Sequence, residues 1–282
     1  MSRLRRVDGA AWIALTALLC LGAIVVTAIG AESGTPLTAA PLLNALDWEP
    51  ALALGEPWRL WTSVWVHWSG AHLGVNLAGA AVVGFLGWRA RAGVATTLAW
   101  FVAWPLTQLA MAAGGVALFA AMPHYGGLSG VLHAGVIVLG LALAWPRAAA
   151  RMHGLVARLD TGFVATRAST IEPSRITEGP WAMTGLDESA APTALPVSTL
   201  EAARPRVPVD GGSAARDRWI GTALVAGTVI KVLFEQPWNL ALRPSIELGI
   251  SVAPIAHACG VAAGLVGWGL VRLAGWRGRR AG

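Results

Sequence analysis

The chain has 282 residues, of which 55% are hydrophobic and only 13% charged, with a mean hydropathy of +0.59. Soluble domains carry about 25% charge, so this composition excludes an ordinary soluble domain and reads as a membrane protein. The net charge of +6 would suit a nucleic-acid binder, but the basic residues are distributed between apolar runs, which excludes that reading.

An apolar run of about 20 residues can cross a bilayer unaided. Six occur, at roughly 10–30, 71–88, 93–120, 126–145, 219–235 and 247–274, and they predict an all-α fold, a six-transmembrane-helix bundle. The third and sixth runs are long enough to tilt or to include interfacial turns. The first follows Arg3, Arg5 and Arg6, yet it is too long for an ordinary signal-peptide core and reads as an anchored span. Three segments follow: 1–146 with spans one to four, 147–217 as a cytoplasmic disordered insert, and 218–282 with spans five and six and a basic tail.

With the N-terminus inside, 18 of the 21 basic residues fall in inward-facing segments. That bias fixes the orientation and puts both termini in the cytoplasm. Trp88, Trp145, Trp219 and Trp276 fall near inner span ends, as an aromatic belt would. The first loop, 31–70, carries Trp48, Trp58, Trp61, Trp65 and Trp68 among Pro and polar residues, which suits rings at headgroup depth in the outer interface. The insert is rich in Pro, Ser, Thr and Ala without a sustained period. Cys20 and Cys259 lie inside apolar runs and read as small buried hydrophobes.

Ser129, near the outer end of span four, and His257, about ten residues into span six, are polar groups inside hydrocarbon. A serine becomes nucleophilic when a base lies within hydrogen-bond reach, and on two parallel helices both side chains can lie in the outer half of the bilayer. No Asp or Glu sits in a helix at matching depth, so no third triad member is visible. Gly130 near Ser129, and Gly260 and Gly264 below His257, give the small-residue spacing that lets helices pack closely; the same glycines also suit ordinary membrane-helix packing. His72 and Asn76, four apart, share a helix face. They read either as donors for a developing oxyanion or as interfacial residues bonded to each other. Lys231 and Glu235 have the same spacing. They read either as a snorkelling pair or as groups recognising a substrate tail.

His72-xxx-Asn76, Gly127-Leu128-Ser129-Gly130 and Ala256-His257-xx-Gly260-xxx-Gly264 resemble, in order, three motifs of the rhomboid intramembrane serine proteases. Trp58-Arg59 followed by Thr62 resembles that family's first-loop motif. The resemblance implies a rhomboid core on both sides of the insert and a water-filled cavity open to the outside. It implies Ser129 as nucleophile, His257 as general base, and His72, Asn76 and the Ser129 N–H as oxyanion donors. His133 stands where the family usually has a tyrosine stacked on the catalytic histidine, and is expected to stack or to bond within the cavity. Gly-Leu-Ser-Gly-Val-Leu-His in this layout is similar to the bacterial rhombosortase subgroup. That implies, as partners, transmembrane substrates with Gly-Gly C-terminal sorting tails, cleaved at the inner (cytoplasmic) membrane with the site open to the periplasm.

No cofactor is expected. His67, His72, His124 and His133 lack metal-ligand spacing with a carboxylate. Two other readings stand beside the protease: a catalytically inactive rhomboid-like protein that binds transmembrane helices, and a transporter using the polar residues as a path, against which no inverted repeat is apparent.

Overall fold

Hydrocarbon offers no water to backbone amides, so apolar runs satisfy them internally by forming helices. The structure, a computed structural model, describes residues 9–32, 34–52, 55–113, 122–145, 211–240 and 242–277. It is mostly helical: α1 (Ala10–Glu32), α2 (Pro41–Leu46), α3 (Arg59–Thr62), α4 (Gly70–Arg89), α5 (Val94–Ala112), α6 (Ser129–Ala144), α7 (Gly211–Phe234) and α8 (Pro254–Arg277). Between α7 and α8 lies an antiparallel hairpin, β1 (Arg243–Ser245) paired with β2 (Ile250–Val252). The all-α expectation therefore holds except for this hairpin.

Among the described residues, four helices are long and apolar enough to cross a membrane: α1, α4, α5 and the Pro254–Ala274 part of α8. The fourth run forms a 16-residue apolar helix, α6, about 24 Å long at 1.5 Å per residue. The insert, apart from its end, lies outside the described residues. Its last residues, from Gly211, already belong to α7, so the helix begins before the expected boundary at 217. The sixth run also starts differently. Its first residues form the hairpin turn and β2, and Pro254 opens α8, a position that needs no backbone N–H.

α6 is the hub, packing against α4, α5, α7 and α8. Eleven of its residues are buried, which explains why it is apolar all round instead of amphipathic. Tryptophans cement the rest by giving their indole N–H to carbonyls of neighbouring segments. Trp12 donates to Val83 (3.0 Å) and Trp100 to Val131 (2.8 Å). Outside, Leu21, Val25, Val82, Phe85, Val266 and Leu273 are exposed, the surface an apolar solvent would cover.

The first loop is less superficial than its composition suggests. Trp48 is fully buried, and Trp61 and Trp65 pack edge-on against Trp104 of α5. Arg59 holds this loop together. Its Nη1 donates to the carbonyls of Asn44 and Asp47 (both 2.9 Å) and to Asp47 Oδ1 (2.8 Å), and its Nε donates to Glu56 (2.6 Å). The Thr62 hydroxyl donates to Leu46 O (2.8 Å). Both Arg59 and Asp47 are buried, where an ion pair is costly to break because it strands the partner's charge. Arg59→Ala should lower stability by roughly 3–5 kcal/mol, read from thermal or SDS unfolding in detergent. A variant as stable as wild type would show that the guanidinium does not hold the loop.

Candidate active site

The chain enters α6 through a short segment pinned from both sides. Trp48 and Tyr125 exchange two backbone hydrogen bonds, of 2.8 and 2.9 Å. His124 Nδ1 reaches the second oxygen of Asp47 at 2.7 Å, so the loop clamped by Arg59 also holds the residues before the serine. Gly127 then turns with φ of 125°, a backbone state that L side chains rarely adopt, and its N–H donates to Ser63 O (3.1 Å). This delivers Ser129 as the first residue of α6.

α8 meets α6 at backbone contact. A Cβ on Gly260 would run into the Gly130 carbonyl, and one on Gly130 would lie 2.9 Å from Ala256 O. Gly264 repeats the contact one turn further on, where a Cβ would lie 2.8 Å from Ala134 O. Because α8 begins at Pro254, His257 lies in its first turn rather than ten residues into a span. Ser129 and His257 thus stand at the starting ends of two touching helices, and both line one cavity of about 880 Å³. His72, Asn76, His133 and Lys231 line it too.

His133, one turn below Ser129, stacks on His257 with ring centroids 4.3 Å apart and planes 19° from parallel. Its Nδ1–H donates to the Ser129 carbonyl (2.7 Å), and its Nε2 accepts from Lys231 Nζ (2.9 Å). The Lys231–Glu235 pair forms at 2.7 Å. The other Glu235 oxygen, Oε2, lies 2.7 Å from His257 Nδ1. The sequence offered no carboxylate at the depth of the histidine; the structure supplies one from the residue just beyond α7.

On the facing side, His72 and Asn76 lie beside Gly127. A Cβ there would sit 3.0 Å from His72 Nε2 and 3.6 Å from Asn76 Nδ2. His72 Nδ1 is buried without a hydrogen-bond partner. The two side chains are not bonded to each other through their polar ends. Instead Asn76 Nδ2 donates to His67 Nε2 and to the His72 carbonyl, both at 3.2 Å, so both amide hydrogens are engaged. His67 accepts through Nε2 because its Nδ1 faces the Trp65 carbonyl at 3.2 Å. Burial lowers its pKa to about 4, against the opposing influence of that bond, so the ring is neutral at physiological pH.

Two participants, His67 and Tyr125, are not singled out by the sequence as site residues, and Glu235, which the sequence pairs with Lys231, also reaches His257. Tyr125, the chain's only tyrosine, is buried with its hydroxyl against Ser129 and the Gly130 backbone, and burial pushes its phenol up to about 12. Asp47, Glu49 and His124 bring ligand atoms within 4.8 Å of one another, but both Asp47 oxygens are already occupied, by Arg59 and His124.

Comparison with known proteins found no matching family model, no matching curated protein and no matching solved structure.

The helix contact generates a direct test. Gly260→Val should cost at least about 1–3 kcal/mol through overpacking, whereas Gly74→Val, with nothing within 4 Å of its Cβ position, should melt near wild type. Equal melting temperatures for the two variants would contradict the contact.

Proposed function

We propose that this protein is a rhomboid-type intramembrane serine protease that cleaves transmembrane segments near their periplasmic end. The observation that carries this reading is that Ser129 and His257, at the starting ends of two touching helices, line one cavity large enough for an unwound stretch of peptide. Neither a half-buried hydroxyl nor a buried imidazole is needed to pack two apolar helices, and both cost free energy when desolvated.

In this reaction Ser129 Oγ attacks the scissile carbonyl carbon as His257 Nε2 takes the hydroxyl proton. The carbonyl electron pair moves onto oxygen. The Ser129 N–H belongs to the first turn of α6, where amides have no intrahelical acceptor, and it faces that oxygen together with His72 Nε2–H. Asn76 joins by exchanging one of its two long bonds, to His67 or to the His72 carbonyl, for the oxyanion. Collapse of the tetrahedral adduct breaks the C–N bond, and His257 returns the proton to the leaving amine. Water, deprotonated by the same nitrogen, then hydrolyses the acyl-enzyme.

Six membrane-spanning segments accommodate this chemistry, with both termini in the cytoplasm, the insert on that side, and the cavity open to the periplasm of a bacterial inner membrane. The arginine distribution supports this orientation. The shortness of α6 supports it too, since a helix of about 24 Å starts below the surface of a ~30 Å core. Irregular backbone at that depth is tolerated only inside protein or against water, and residues 125–128 are buried. The substrates are secreted proteins with a Gly-Gly C-terminal tail. Glycines stabilise helix poorly, so such a tail unwinds into the cavity at little cost.

A catalytically inactive helix-binding relative is the second reading. The intact Ser129–His257 pair argues against it. In cells co-expressing a Gly-Gly-tailed substrate, Ser129→Ala should abolish the cleaved product while the protein still accumulates in the membrane. Undiminished cleavage by Ser129→Ala would remove Ser129 as nucleophile.

A further inference from the structure

We propose that Glu235 is the third member of a Ser129–His257–Glu235 triad, a positioning carboxylate that holds His257 with Nε2 towards the serine. This rests on the hydrolase reading of the site and adds to the two-residue chemistry a group that the motifs do not contain.

Glu235 uses both of its carboxylate oxygens. Oε1 takes the Lys231 ammonium at 2.7 Å and Oε2 takes His257 Nδ1 at 2.7 Å. A glutamate whose sole purpose was to neutralise Lys231 would have no need of the second bond. A carboxylate only accepts, so Nδ1 must be the protonated nitrogen of a neutral His257. Nε2 is then left with its lone pair, the form a general base needs. With His257 buried, rotation about its side chain is opposed on two sides, by the stacked His133 ring and by this bond.

A chain of contacts joins the backbone of the serine to the imidazole. The Ser129 carbonyl accepts from His133 Nδ1, His133 Nε2 accepts from Lys231, Lys231 donates to Glu235, and Glu235 accepts from His257. His257 and Ser129 then face the same cavity. Every donor in this path has an acceptor, and the charges alternate: Lys231 positive, Glu235 negative, and His257 positive once it has taken the serine proton. When Ser129 gives up that proton, the resulting imidazolium lies against an ionised carboxylate that is already in place, which stabilises the charge as it develops. Glu235 stays ionised throughout; it accepts no proton in the cycle.

α7 has no motif residue of its own in the Ser–His chemistry. Its end carries the glutamate across to α8, and the hairpin β1–β2 brings the chain back so that His257, 22 residues further on, meets it. The Ser69 hydroxyl bonds the Leu248 carbonyl in the hairpin turn, so the same connection is tied to the start of α4.

The test is the rate at which a fluorophosphonate labels Ser129 in the full-length protein in detergent or nanodiscs, measured for wild type, Glu235→Gln and Glu235→Asp. Glu235→Gln keeps the size but removes the charge. It should slow labelling by at least 100-fold, on the order of the losses seen when the acid of other triads is removed. Glu235→Asp should restore part of that rate, and kcat on a tailed substrate should fall with KM little changed. Labelling of Glu235→Gln within about threefold of the wild-type rate would overturn the triad. Failure of the wild type itself to react at Ser129 would instead overturn the hydrolase reading. Nitrogen-15 NMR of histidine in the wild type needs no variant. Neutral His257 should carry its proton on Nδ1, and the opposite tautomer would also overturn the proposal.

Discussion

The contact between the Gly130 carbonyl and the α carbon of Gly260 is the constraint on which the site depends. It removes a side-chain layer from between α6 and α8 and lets two backbones touch. Ser129 is one residue from this contact and His257 three, so their separation follows from the closeness of the helices. Van der Waals packing of small residues is the main means by which helices associate in hydrocarbon, where no hydrophobic force acts between them. Here that packing also determines whether a hydroxyl and an imidazole can meet. A single methyl at Gly260 would act on both stability and chemistry.

The contact sets distance, while two polar assemblies set direction. On one side Arg59 draws the first loop into a buried knot, and the Trp48–Tyr125 pairing passes that rigidity to the turn before Ser129. On the other side Lys231, Glu235 and His133 enclose the His257 ring. A third assembly, His67 on Asn76, holds the amide beside Gly127. Each uses polar atoms in nearly complete pairs, the condition under which buried polar groups rigidify a structure instead of weakening it. Trp48 Nε1 and His72 Nδ1 are buried without a partner. The other nitrogen of the His72 ring lies next to the Gly127 turn.

What the sequence reveals is whatever depends on neighbours within one helix. Apolar runs locate α1, α4, α5 and α6, and four-residue spacing brings out Lys231 with Glu235 and His72 with Asn76. The resemblance in motif order led to His133 stacking on His257, which the ring geometry matches. Relations created by long connections remain hidden. Glu235 meets His257 only because the hairpin returns the chain, and the hairpin arises in a run that hydropathy alone extends into a helix. Arg59 and Trp48 read as interfacial residues because composition cannot tell a loop lying on a membrane from one tucked into the protein. Asn76 looks like a free donor until His67, outside the helix, is seen to hold it.

The most direct measurement is peptide mapping by mass spectrometry after exposing the membrane-embedded protein to a fluorophosphonate, with and without His257→Ala. This account predicts a single phosphonylated residue, Ser129, and loss of that adduct in the histidine variant. An adduct elsewhere, or one that forms on Ser129 at full rate without His257, would contradict it.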